Sequence, residues 1–382
     1  MGKGPEIIKR MPLKNFSFPK TNKNIYLLKT FDGLVGPTLV RFCSYLKIKK
    51  GYQIVSSPKN ILIIRPGGIG DAVLLLPMLN FLNMHFPACG ISILAERRNA
   101  GVFNAIPYLK RPFLYHKVND LYKILKYPYD IVIDTEQWHR LSAIVAFFTK
   151  AQIRIGFATN ERAHLFTHAI PYSHNKYEVF SFLMLLEPLI GKIKYHITKP
   201  FFLLPHKFTI ELKKNIPWVA LFPGASIKER KWPKDRFREV ARWLDKKGIG
   251  TVVVGGRQDK KIADYIVDGL KRHINLAGRV SLLETAQILA QTKLLLTTDS
   301  GIMHLAVAVG TPVVALFGPG IEEKWAPRDG RSIVINKNLP CSPCTRFGYT
   351  PPCPYDAQCM KEISVDEVKE AINAILAKTI PH

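Results

Sequence analysis

"ILIIRPGGIGDAVLLLP", residues 61–77, is the stretch from which the rest of the chain is read. Ile61-Leu62-Ile63-Ile64 is a continuous branched-apolar run, the pattern of a strand covered on both faces. Arg65 and Pro66 end it, Gly67, Gly68 and Gly70 supply a turn, and the apolar residues from Ala72 onward suit a helix. Pro77 is tolerated only near a first helical turn, so a helix there is expected to begin near Leu76. Strand, glycine turn and helix form the opening unit of a parallel α/β sheet.

The unit recurs. ISILAE (91–96) and IVIDTE (131–136) read as strands of the first half; WVALFPG (218–224), TVVVGG (251–256), LLLTTD (294–299) and VVALFG (313–318) read as strands of the second. Helix-length stretches lie between them. In 233–247, Phe237, Val240, Ala241 and Leu244 recur at helical spacing before Gly248. At 382 residues the chain exceeds the usual size of one core. The expected fold class is therefore α/β, with two doubly wound domains facing across a cleft. The expected divisions are a basic amphipathic extension at 1–56, a first domain at 57–200, a linker at 201–217 and a second domain at 218–382. The second domain ends in a Cys-rich loop and a C-terminal helix.

Charge is the compositional outlier. Lys and Arg number 55 against 29 Asp and Glu, for a net charge of +26. Such an excess attracts nucleic acid, anionic lipid or phosphorylated small molecules. A hydrophobic content of 47% excludes a disordered chain. No apolar run approaches the roughly 18 residues of a membrane span. The start MGKGPEIIKRMPLKNFSF lacks the apolar core of a signal peptide and has Glu6 where a myristoylation motif needs Ser or Thr, so a cytoplasmic location is expected. Residues 25–48 suit a basic amphipathic helix pair broken at Gly36-Pro37. Two readings stay open for it: helices docked on the first domain, or a surface that lies on a membrane.

In open α/β sheets ligands bind beyond the carboxyl ends of strands, so the strand-end loops are where chemistry belongs. The spacing of Gly67, Gly68 and Gly70 fits neither the dinucleotide fingerprint nor the P-loop. It places Asp71 at the mouth of a cleft, either as a helix cap or as a reactive carboxylate. The loop FPGASIKERKWP (222–233) turns at Gly224, Ala225 and Ser226 and brings up Lys228, Arg230 and Lys231. Those cations suit a phosphate group, or form a solvated charge run. In TTDSGIMHLAVAVG (297–310), Asp299, Ser300 and Gly301 open a helix whose N-terminal amides suit a diphosphate. Asp299 reads equally as a cap there, and His304 as a core residue. Cys341, Cys344, Cys353 and Cys359 leave a structural Zn²⁺ site or a turn-rich loop of free thiols.

Taken together, "ILIIRPGGIGDAVLLLP", "LFPGASIKERKWPKDRF", "TTDSGIMHLAVAVGTPVVALFGP" and the CSPC…CP…C tail resemble glycosyltransferase family 9, the ADP-heptose:lipopolysaccharide heptosyltransferases. The resemblance covers about residues 60–376. It implies a GT-B fold of two Rossmann-like domains, with the acceptor on the first, beside Gly68 and Gly70, and the nucleotide sugar on the second. It implies inverting transfer without a catalytic metal or required cofactor, with Asp71 as general base. The donor-binding Asp-x-Gly-x-x-His falls on Asp299, Gly301 and His304, next to Ser300. The basic residue two before Trp232, commonly Lys in the family, is Arg230 here, with Lys231 next and Ser226 upstream. The implied partners are an ADP-sugar donor, a lipopolysaccharide-precursor acceptor and the anionic cytoplasmic face of the inner membrane. A transferase for another nucleotide sugar, or a nucleotide-sugar epimerase, are the rivals on this scaffold. Nucleic-acid binding is disfavoured, because the basic motifs sit at strand ends rather than in an aromatic-laced stripe.

Overall fold

A computed structural model of the chain describes residues 23–46, 57–197, 200–205, 207–346 and 348–379. Residues 1–22 and 47–56 of the expected extension lie outside the described residues. Two six-stranded parallel sheets organise the rest. The first contains β1 (Asn60–Arg65), β2 (Gly90–Ala95), β3 (Phe113–Leu114), β4 (Ile131–Asp134), β5 (Ile153–Phe157) and β6 (His168–Ile170). The second contains β7 (Trp218–Phe222), β8 (Gly250–Val253), β9 (His273–Asn275), β10 (Leu294–Thr298), β11 (Val313–Phe317) and β12 (Ile333–Asn336).

Strand order is β3-β2-β1-β4-β5-β6 in one sheet and β12-β11-β10-β7-β8-β9 in the other. Counted from its own first strand, each sheet has the same doubly wound order, which reverses beside β1 and β4, and beside β7 and β10. Alternate residues of β1 face opposite cores. Ile61 and Ile63 join a cluster that continues through the linker residues Phe201, Phe202 and Leu212 into the second half, while Leu62 and Ile64 face a separate cluster with Val132, Ala143 and Ala146. The linker is thus packed: the amides of Phe201 and Phe202 both donate to the Ala308 carbonyl, at 2.9 and 3.0 Å. In the second half, Phe237, Val240, Ala241 and Leu244 bury the inner face of the helix Lys234–Lys246.

The expected helix pair at 25–48 is instead one helix, Lys23–Tyr45, with Pro37 inside it. It is docked on the first half. Asp32 Oδ1 accepts the Arg140 and Leu141 amides, both at 2.7 Å, and so caps the helix Arg140–Phe148. Val40 and Cys43 bury in the same cluster as Leu62 and Ile64.

All four cysteines of the Cys-rich loop are free thiols, ranging from exposed Cys341 through half-buried Cys344 and Cys353 to buried Cys359. Cys359 is turned into the core beneath Gly318, and among the described residues no three His, Cys, Asp or Glu side chains converge to hold a metal.

Candidate active site

The singled-out loops leave the sheets at their topological switch points: Asp71 follows β1, Ser226 to Lys231 follow β7, and Asp299 to His304 follow β10. Gly67 adopts φ +109°, a left-handed conformation open to glycine at no steric cost, and lets the chain turn sharply off β1. Gly68 then caps the helix Ile69–Leu74 through its extended backbone, with no side-chain cap. Asp71 lies in the first turn of that helix as a partly exposed carboxylate, so the cap reading for it falls. The cap reading for Asp299 falls too. Ser300 caps the helix Gly301–Ala308, its Oγ accepting the Met303 amide at 3.3 Å.

The two glycine turns meet face to face. A Cβ on Gly70 would lie 2.8 Å from His304 Cδ2, and one on Gly301 would lie 3.0 Å from both the Gly70 nitrogen and Ile69 Cβ. Only glycine at both positions permits this approach. Sequence motifs 230 residues apart are thereby joined in one site.

On the side of the first half, Asp71 Oδ1 accepts from Gln137 Nε2 at 3.4 Å, and the same Gln137 nitrogen donates to Glu178 Oε1 at 2.6 Å. Glu178 is fully buried and its other oxygen lies 2.6 Å from Lys324 Nζ, itself 3% exposed. Lys324 belongs to the second half, Glu178 to the first. The ammonium also donates to the Ser173 carbonyl at 3.2 Å and stands 4.2 Å from the centre of the Tyr172 ring. Burial pushes the Glu178 carboxyl above its ordinary value, and Lys324 opposes that shift. Beneath Asp71, the buried Arg65 guanidinium donates to Gln137 Oε1 at 3.3 Å and to Glu136 Oε2 at 3.4 Å. Burial works against its charge, but Asp71, Glu136, Glu178 and Asp134 together hold its pKa above the usual arginine value.

On the side of the second half, Arg230 Nη1 lies 3.0 Å from Asp299 Oδ2. Arg230 is largely buried, whereas Ser226 and Lys231 stand exposed on the same loop. His304 is 4% exposed, and burial pushes its pKa down to about 4, so its imidazole is neutral at pH 7. His304 is buried like a core residue and lies against Gly70 of the facing turn.

A family model described as glycosyltransferase family 9 (heptosyltransferase) matches residues 119–351. The chain belongs to glycosyltransferase family 9. Lipooligosaccharide heptosyltransferase 2 of Haemophilus influenzae is 25% identical over 307 residues, covering 72% of this chain and 88% of that one. The structure of E. coli ADP-heptose lps heptosyltransferase II has a TM-score of 0.68 at 22% identity and covers 84% of this chain and 99% of the other. E. coli heptosyltransferase WaaC with ADP gives a TM-score of 0.66 at 18% identity, covering 84% and 99%. The fold of this family 9 glycosyltransferase is GT-B, as the resemblance implied.

Arg65, Gln137, Glu178 and Lys324 had no part in the sequence reading. Arg65 was quoted only as a strand end. Gln137, Glu178 and Lys324 carry no local spacing, because packing alone assembles them.

Proposed function

We propose that this glycosyltransferase moves a heptosyl group from an ADP-heptose donor to a lipopolysaccharide-core precursor, with inversion and without a catalytic metal. The observation that supports the reading is the contact of the Gly68–Asp71 turn with the Gly301–His304 turn, which brings together the two loops assigned here to acceptor and donor. Asp71 deprotonates the acceptor hydroxyl as it attacks the anomeric carbon. A base in that position contributes about 10²–10⁴-fold. Departure of ADP builds charge on the diphosphate; Arg230, Lys231 and the amides at Ser300 and Gly301 offset it. Asp299 fixes the Arg230 fork by ion pairing, and neutral His304 offers a hydrogen bond rather than charge. Ser226, Gly68 and Gly70 shape the two walls.

In this reading residues 57–200 form the acceptor domain, 218–382 the nucleotide-sugar domain, and the enzyme works on the cytoplasmic face of the inner membrane. Incubating the chain with ADP-heptose and a lipopolysaccharide-precursor acceptor, followed by mass spectrometry, tests it. A heptose-sized mass gain on the acceptor is expected, and Asp71→Asn is expected to cut the rate at least ~10²-fold while ADP titration stays near wild type. Unchanged turnover in Asp71→Asn overturns the base; isomerised donor without transfer selects the epimerase.

A further inference from the structure

The helix Lys23–Tyr45 spends one face on docking and leaves another uncovered. Asp32, Gly36, Val40 and Cys43 turn inward. Phe31, Leu34, Phe42 and Tyr45, on a stripe of helical spacing, are 47%, 75%, 63% and 82% exposed. The helix Val118–Lys126 repeats the design: Ile124 is buried in the cluster that also holds Val40 and Cys43, while Val118, Tyr122 and Leu125 are exposed. Both helices contribute to the cluster over the same face of the first sheet, and Phe148, at the end of the helix Arg140–Phe148 against which Lys23–Tyr45 packs, adds a further exposed ring.

Charge on this layer has one sign at the surface. Arg41, Lys117, Lys123 and Lys126 are exposed, Lys126 lying 4.6 Å from the centre of the Tyr122 ring. The only acids of Thr30–Leu46 and Val118–Lys126 are Asp32 and Asp120. Both point inward: Asp32 caps the helix Arg140–Phe148, and Asp120 Oδ2 accepts the Leu114 amide at 2.9 Å. Residues 1–50 as a sequence hold eleven Lys and Arg against two acids.

We infer that this face, formed by Lys23–Tyr45 and Val118–Lys126, docks on an anionic lipid bilayer, its apolar side chains entering the headgroup boundary and its cations pairing with lipid phosphates. A water-facing surface has no use for Leu34, Phe42 and Tyr45 in a row, and a neutral partner gives the surrounding cations nothing to pair with. Among the described residues no helix is long and apolar enough to cross a membrane, so this surface lies on the bilayer rather than spanning it. The inference rests on the membrane-facing reading proposed above and names the surface responsible. It also places the membrane against the half that carries Asp71.

Vesicle co-sedimentation of the full chain tests it, with protein-free vesicles of phosphatidylcholine alone or with 30% phosphatidylglycerol as the probe. The expected result is binding to the anionic vesicles, at least tenfold weaker to neutral ones and weakened by salt. Leu34→Glu/Phe42→Glu lies in solvent, so it should keep the wild-type melting temperature and ADP affinity, yet lose at least tenfold in vesicle binding. Wild-type vesicle binding by that variant overturns the inference. So does a wild-type chain that ignores anionic vesicles, or one whose stripe is buried in a dimer that the double variant dissociates. Transfer to a detergent-dispersed acceptor separates the two claims: transfer without vesicle binding defeats the docking surface alone, and vesicle binding without transfer defeats the functional reading alone.

Discussion

Replacing Lys324 by methionine removes the cation that the second half inserts into the first. At 2.6 Å and an effective dielectric near 20, the pair with Glu178 carries about 6 kcal/mol of gross attraction. Much of that offsets the cost of burying both charges, yet removing one partner leaves the other uncompensated, a loss of about 3–5 kcal/mol. Glu178, whose carboxyl burial already pushes upward, recovers part of this by taking a proton. A net loss of about 2–3 kcal/mol is expected for the assembled site, or roughly 30- to 150-fold in kcat/KM for glycosyl transfer. The rate reads this loss because Glu178 reaches Asp71 through the single Gln137 amide. Glu178→Gln/Lys324→Met removes both charges and is expected to recover at least tenfold over Lys324→Met. The coupling is then measured by a double-mutant cycle on both kcat/KM and thermal stability. If the two single variants and the double variant lose activity additively, or if Lys324→Met stays within twofold of wild type, the pair does not align Asp71.

Three further outcomes are expected. His304 has its pKa depressed from 6.5 to about 4 in the folded state, so the unfolded chain binds the extra proton between those values. Stability is therefore full above pH 6.5 and falls by about 3 kcal/mol as pH drops through 4; urea titrations at pH 7 and 4 should show this in wild type and not in His304→Asn. Arg230→Ala should weaken ADP about 10- to 100-fold by calorimetry, the scale of a lost charge-assisted bond, and an unchanged titration removes Arg230 from the donor wall. Asp32→Ala strands the Arg140 and Leu141 amides and should cost about 1–2 kcal/mol of stability with ADP affinity intact, measured by chemical denaturation.

The seven strands legible from apolar runs are inner ones, β2, β1 and β4 in the first sheet and β11, β10, β7 and β8 in the second. Helices cover both their faces, so burial demands near-continuous Val, Ile and Leu. Of the five strands that escaped notice, four are the sheet edges and one, β5, is an inner strand. β3 has two residues, and β6, β9 and β12 are short and partly exposed, so no apolar run marks them. β5 is buried, but Arg154 interrupts IRIGF; its guanidinium is satisfied internally by the Ala151 and Leu165 carbonyls, a solution that pattern alone cannot foresee.

The site divides along the same physical line. Asp71, Arg230, Asp299 and His304 were legible because each follows an inner strand at a glycine-bearing turn, and the chain must expose backbone there. Whether Asp71 is a cap or a reactive carboxylate was not decidable within residues 61–77 as a sequence, since both uses need an acid beside a helix start. The structure removes the cap reading locally and ties the carboxylate at long range. Gly68 takes the cap position, freeing the carboxylate, and Gln137 and Glu178 tie that carboxylate to a lysine from the other half. Such a tie has a consequence for how the enzyme turns over. A carboxylate held through a bond between halves is aligned only while the halves stay together, so the proposed base and the proposed phosphate site are expected to be assembled by the same closure. In the proposed mechanism, an opening of the cleft that releases ADP is expected to break the Lys324–Glu178 pair and to leave Asp71 unaligned until the halves close again.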